Sequence, residues 1–140
     1  MKILVPVDGS DISTGALKHA LTLAKRFSEP PKLLVIAVDD SLFPGAERKM
    51  GSEAAAQHHA ENHARMLAPA RKALARGTLD VKLLEVVGDV ADSILEVAAK
   101  EKVDLVVMGS RGNGAIKGAF LGSVSSKVLA ESDVPVTIVR

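Results

Sequence analysis

Apolar positions along the chain follow two alternating rhythms. Short β-branched runs, Lys2 to Val7, Lys32 to Val38, Asp80 to Val87, Asp104 to Met108 and Pro135 to Val139, are separated by longer stretches in which apolar residues return every three or four positions. Such alternation marks βαβ units around a parallel sheet. It predicts an α/β fold: one open, doubly wound, five-stranded parallel sheet with helices on both faces, Rossmann-like or flavodoxin-like, in strand order 3-2-1-4-5. The 140 residues suit one domain with a proper core and are too few for two of ordinary size.

Four helices are predicted between the strands. The first, about Ser13 to Phe27, carries a stripe of Ala16, Leu17, Ala20, Leu21, Ala24 and Phe27. The second, about Ser52 to Arg76, is polar in its first half and holds Pro69, which should kink or restart it before a stop at Gly77. The third, Val90 to Lys100, follows Asp89, a good N-cap, and the fourth runs from Ser123 to Glu131. Asp39 to Gly51 and Gly109 to Gly122 remain irregular. With the first strand central, the winding reverses beside it, and the end of that strand at Asp8 should meet the end of another near Gly109.

Only 2% of the residues are aromatic, so the core must be built from Val, Leu, Ile and Ala. A formal charge of +1 without charge blocks gives no reason to expect nucleic acid or an anionic membrane as partner. No cysteine is present, which removes disulfides, thiolate zinc sites and cysteine nucleophiles from consideration. The longest apolar runs fall far short of the roughly 20 residues that cross a bilayer. Met1 to Val7 lacks the build of a secretory signal, and a cytoplasmic location is the expectation.

Five glycines fall within the fourteen residues from Gly109 to Gly122. Glycine lets backbone N–H groups turn toward an anion with no Cβ in the way, and the helix that begins at Ser123 adds free N–H groups and the positive end of its dipole. Strand, glycine loop and helix start describe a phosphate cradle. The loop is not a Walker motif, because no Gly-Lys-Ser/Thr ends it, and it misses the Rossmann fingerprint because Lys117 stands in place of the last glycine.

Gly109, two residues, Gly112, nine residues, then Gly122-Ser123 reproduces the spacing of the ATP-binding signature of universal stress proteins. The opening Ile3-Leu4-Val5-Pro6-Val7-Asp8-Gly9-Ser10 and the ending Gly122-Ser123-Val124-Ser125-Ser126-Lys127-Val128-Leu129, followed by Val134-Pro135-Val136, resemble that family's first strand and its usual close. The resemblance implies that ATP or AMP is held with Gly109, Ser110, Arg111, Gly112, Asn113, Gly114 and Ala115 around the phosphates, and with Gly122, Ser123, Val124 and Ser125 closing the far side. It also implies that Pro6, Val7 and Asp8 lie along ribose and adenine, and that Val38 offers backbone polar groups to the adenine edge. Ribose hydroxyls or a phosphate-bound Mg²⁺ are the natural partners of Asp8, and capping of the next helix is the alternative. Arg111 and Lys117 could each reach a phosphate or stand as solvated cations.

The resemblance further points to a homodimer through Pro135 to Val139, an apolar last strand expected at a sheet edge. His59 and His63 sit at i and i+4, a spacing that can hold a metal, but the helix reads there as polar and solvent-facing. No catalytic arrangement stands out beyond slow hydrolysis of bound ATP. The turn Val7-Asp8-Gly9-Ser10 lacks the paired glycines of ATP pyrophosphatase domains, and Val87 and Arg140 stand where a phosphoacceptor receiver needs aspartate and lysine. A nucleotide-responsive sensor or adaptor, with an as yet unnamed protein partner, is the expected role; a nucleotide-free dimeric interaction protein is the alternative.

Overall fold

The computed structural model describes residues 1–112 and 120–140. The strands are β1 (Lys2–Pro6), β2 (Lys32–Asp39), β3 (Val81–Val87), β4 (Leu105–Gly109) and β5 (Val136–Val139). All neighbouring pairs run parallel, in the order β3-β2-β1-β4-β5, as the apolar rhythm predicts. The helices among the described residues are α1 (Asp11–Ala24), α2 (Ala46–Met50), α3 (Ser52–Leu74), α4 (Val90–Lys100) and α5 (Ser123–Glu131). The short α2, inside a segment expected to be irregular, is the one element that the apolar pattern does not contain, because it buries no residue.

Strand pleating sorts the core into two layers. Ile3 and Val5 of β1 join Ala16, Leu17 and Ala20 of α1 and Leu67 and Ala70 of α3 on one face. Leu4 points the other way, against Ala91, Ile94 and Ala98 of α4 and Val128 of α5. Covered on both sides, β1 and β2 are nearly continuous apolar runs, whereas β3 at one edge alternates exposed and half-buried positions. At the opposite edge, β5 pairs among the described residues with β4 alone and is half-buried throughout.

Two helix ends depart from the sequence reading. Helix α1 closes at Ala24, so Phe27 falls beyond it and is exposed. Helix α3 is uninterrupted from Ser52 to Leu74, and Pro69 does not restart it. Proline has no N–H to give the carbonyl four residues earlier, here Arg65. That carbonyl turns toward the β1–α1 turn: a Cβ placed on Gly9 would lie 3.3 Å from Arg65 O. Gly9 itself sits at φ 85°, in the left-handed region that side chains resist.

The docking of α3 on this turn therefore depends on Gly9 having no side chain. Replacing Gly9 with Ala is expected to destabilise the fold by about 1–2 kcal/mol, the cost of the left-handed backbone, or more if α3 must move. A urea unfolding midpoint equal to that of the unmodified protein would contradict this packing.

Candidate functional site

The strands all end on the same side, and the connections leaving β1 and β4 part to opposite faces of the sheet. A crevice opens where they separate, the usual ligand position in open α/β sheets. It holds a cleft of about 540 Å³. Pro6, Val7 and Asp8 enter from the end of β1, Ile36, Val38, Asp39 and Asp40 from β2, and Met108 and Gly109 from β4. Arg111, Gly112 and residues 121–125 form the wall beyond β4. Val7, Ile36, Val38, Ile94 and Met108 are buried and give the cleft an apolar floor.

Helix α5 opens onto this floor without a cap. Ser10 caps α1 by accepting from Ser13 N, and Asp89 caps α4 by accepting from Asp92 N; Gly122, the N-cap of α5, has no side chain to offer. The first helical bond runs from Ser126 N to Gly122 O at 2.9 Å. The N–H groups of Ser123, Val124 and Ser125 thus have no acceptor inside the helix, and no acidic side chain stands in the first turn to neutralise its dipole. All three residues line the cleft. The helix start is held from behind: Ser125 Oγ donates to Gly109 O at 2.8 Å, and Gly122 N donates to Ser110 O at 2.8 Å.

Asp8 faces this helix end from the other side of the crevice. Its Oδ1 accepts from Ser10 N at 3.0 Å, and its own N–H donates to Ser13 Oγ at 3.3 Å. Ser10, not Asp8, takes the N-cap of α1, so the Asp8 carboxylate fixes the turn before the helix. Two signature glycines serve close approaches. A Cβ on Gly112 would lie 2.5 Å from Asp8 Oδ2, and one on Gly109 would lie 2.6 Å from Ile12 Cγ2 of α1. Gly109 admits a helix, while Gly112 brings bare backbone against a carboxylate in the cleft.

Of the residues singled out from sequence, Pro6, Val7, Asp8, Val38, Gly109, Arg111, Gly112, Gly122, Ser123, Val124 and Ser125 line the cleft together. Ser110 is buried outside that lining, with its N–H on Val139 O. Asn113, Gly114, Ala115 and Lys117 lie outside the described residues.

The model of the universal stress protein family matches residues 1–140. The chain belongs to the universal stress protein family. It is 36% identical over 138 residues to a universal stress protein of Thermus aquaticus, covering 99% of this chain and 97% of that one. Among solved structures, MJ0577 of Methanocaldococcus jannaschii superposes with a TM-score of 0.82 at 30% identity, over 99% of this chain and 94% of that chain. A universal stress protein solved in complex with cAMP superposes with a TM-score of 0.61 at 27% identity, over 100% and 96%.

Beyond the family signature, the cleft recruits residues that the sequence reading missed. Asp39 ends β2 and Asp40 follows it, and the rule that ligands gather at strand ends could have found them. Arg65 and Met66 reach the cleft only because α3 crosses the Gly9 turn, which no local pattern announces. Two histidines of α3 also need correction, since His59 is half-buried and His63 buried while Ala60 and Glu61 between them stay exposed. His63 is buried and its Nε2–H donates to Val86 O at 2.9 Å. His59 Nδ1 meets Asp39 Oδ2 at 2.6 Å, in a pair whose side chains are only 16% and 14% exposed. Burial pushes the Asp39 carboxyl up, but hydrogen bonds from Asn62 and His59 and the charges of His59 and His63 together hold it below the usual carboxylate range.

Proposed function

We propose that the cleft binds an adenine nucleotide, ATP or AMP, and that the protein acts as a nucleotide-responsive sensor or adaptor in the stress response. The observation that carries this reading is the start of α5, which has no side-chain cap and whose first residues Ser123, Val124 and Ser125 line a cleft with an apolar floor. The N–H groups of a helix's first turn, at the positive end of its dipole, suit a phosphate group. Val7, Ile36, Val38 and Met108 suit the flat face of a base. The cAMP complex of a relative 27% identical supports an adenine nucleotide in preference to another anion.

In this reading Gly109, Arg111 and Gly112 bring backbone and one cation to the phosphates, with Ser110, Asn113, Gly114 and Ala115 in the same loop. Pro6, Val7 and Asp8 border ribose and base, and Val38 presents backbone polar groups to the adenine edge. Asp8 would hold the ribose hydroxyls and, when Mg²⁺ accompanies the phosphates, one of its coordination positions. The protein's own contribution is to bind and orient; any hydrolysis of ATP is slow. A cytoplasmic location, where adenine nucleotides abound, belongs to the same reading. Among the described residues no helix is long and apolar enough to cross a membrane.

Gly112→Val crowds the Asp8 carboxylate and covers loop backbone, and Gly122→Val adds bulk at the start of α5. Each is expected to weaken ATP binding at least about tenfold, the loss of one hydrogen bond to a charged group, with the fold retained. Asp8→Ala is expected to lose more in the presence of Mg²⁺ than in its absence. Calorimetry on these folded variants checks both, and undiminished affinity in the two glycine variants would remove the site from this cleft.

We further infer a homodimer built on β5. Among the described residues no strand pairs with the outer side of this edge strand, and Pro135 before it does little to shield Val136 to Val139. Pairing with a second copy across a two-fold axis satisfies both edges. Light scattering is expected to give twice the 14.6 kDa chain mass, and Val136→Lys combined with Ile138→Lys to halve it. A monomeric unmodified protein, or a dimer indifferent to both lysines, would place association elsewhere.

A further inference from the structure

Where β2 ends at the rim of the cleft, helix α3 lays two consecutive histidines over the last residue of the strand. Asp39, His58 and His59 each offer one ligand atom, and these atoms all lie within 4.8 Å of one another. Such convergence of two imidazoles and a carboxylate from separate elements has to be held in place, and Asn62 holds it. Its Nδ2 donates to Asp39 Oδ2 at 2.9 Å and lies 3.2 Å from His58 Nε2, which is therefore the unprotonated, accepting nitrogen. Its bond to Asp39 is of the kind that orients a ligand carboxylate from outside, whereas its contact with His58 gives way when the Nε2 lone pair turns to the metal.

We propose that Asp39, His58 and His59 bind one divalent transition-metal ion, with Zn²⁺ as its representative. Two imidazole nitrogens and one carboxylate oxygen match the donor preference of such ions, and three protein ligands leave one coordination position open. Ligand atoms in a tetrahedral zinc site stand about 3.4 Å apart, twice the projection of a bond of about 2.1 Å. The pair His59 Nδ1 and Asp39 Oδ2, now 2.6 Å apart, must therefore open by about 0.8 Å. As the metal takes its place, Nδ1 gives up its proton through solvent and Nε2 carries the one that remains on the ring, so that the bound imidazole is neutral. Chain entropy favours the site, since β2 and α3 are already fixed by the core through Leu34, Ile36 and Val38 on one side and Leu67 on the other.

His63 does not belong to the set, although its spacing from His59 suggests it. Its Nε2–H is committed to Val86 O, and the nearest carboxylate, Glu85 Oε2, lies 3.9 Å from Nδ1. The site therefore joins neighbours in sequence to a residue twenty positions away, rather than using the i, i+4 pair. Because Asp39 also lines the cleft, the ion occupies its rim and stands apart from the phosphate end at α5.

The test uses the full chain free of nucleotide, with Zn²⁺ in calorimetry and Co²⁺ in visible absorption. The unmodified protein is expected to bind one Zn²⁺ per chain, and Co²⁺ to give the intense visible bands of a four-coordinate ion. His58→Gln, His59→Gln and Asp39→Asn are each expected to weaken Zn²⁺ binding at least about tenfold. His19→Gln, which removes an exposed histidine of α1, is expected to leave it unchanged. Circular dichroism identifies any variant that fails to fold, and the Co²⁺ spectrum of the unmodified protein needs no variant. Absence of saturable Zn²⁺ binding, an octahedral Co²⁺ spectrum, or affinity that survives all three substitutions would show that Asp39 only anchors α3 through hydrogen bonds. Nucleotide binding plays no part in these readouts, so their failure and that of the nucleotide reading are separate events.

Discussion

Strand β1 has no solvent face, and most of the architecture follows from that constraint. Ile3, Leu4 and Val5 are wholly buried, and a parallel strand with β2 on one side and β4 on the other must be roofed by helices above and below. The chain meets this by sending α1 and α3 to one face and α4 and α5 to the other. Burying a large aliphatic side chain contributes about 1.5–3 kcal/mol, so the wholly buried side chains of β1 and β2 supply much of the drive that fixes sheet order. Once β1 is central, its two neighbours are served by helices on opposite faces, and the ends of β1 and β4 cannot be closed by one connection. The cleft is a consequence of covering the sheet.

What the cleft can hold is decided by backbone more than by side chains. Its floor comes from apolar residues that the core already requires, such as Ile36, Ile94 and Met108. Its polarity comes from the start of α5, where a glycine stands in place of the serine or aspartate that caps α1 and α4. A cap there would satisfy one of the orphan N–H groups and stabilise the helix by about 1 kcal/mol. Among the described residues no side chain takes that place, which in the proposed reading keeps those donors for a ligand. The back of the helix start is nevertheless tied down by Ser125 Oγ on Gly109 O, so the open donors are fixed relative to the sheet.

Much of this could be seen in the sequence because it depends on local rhythm. Strand order, both core layers and the glycine spacing are repeated, short-range signals, and eleven of the fifteen residues singled out for the site do line one cleft. The signals that escaped are those of helix α3. Its polar first half reads as a wet face, yet His63 is buried against Val86 O and His59 is held by Asp39. A hydrogen-bonded histidine beneath a helix looks, in sequence, the same as a solvated one. Pro69 misleads in a similar way, because the carbonyl it leaves without a donor is turned to the bare backbone of Gly9, a neighbour sixty positions away. Long-range partners decided both cases, and no window of residues contains them.

The account rests on the open end of α5 as the seat of a phosphate group. Titrating ¹⁵N-labelled protein with ATP and following backbone amide resonances tests this most directly. The largest shifts are expected at Ser123, Val124 and Ser125, with smaller ones at Val7, Asp8 and Val38. A spectrum unchanged by ATP, or one whose large shifts all lie away from the start of α5, would contradict it.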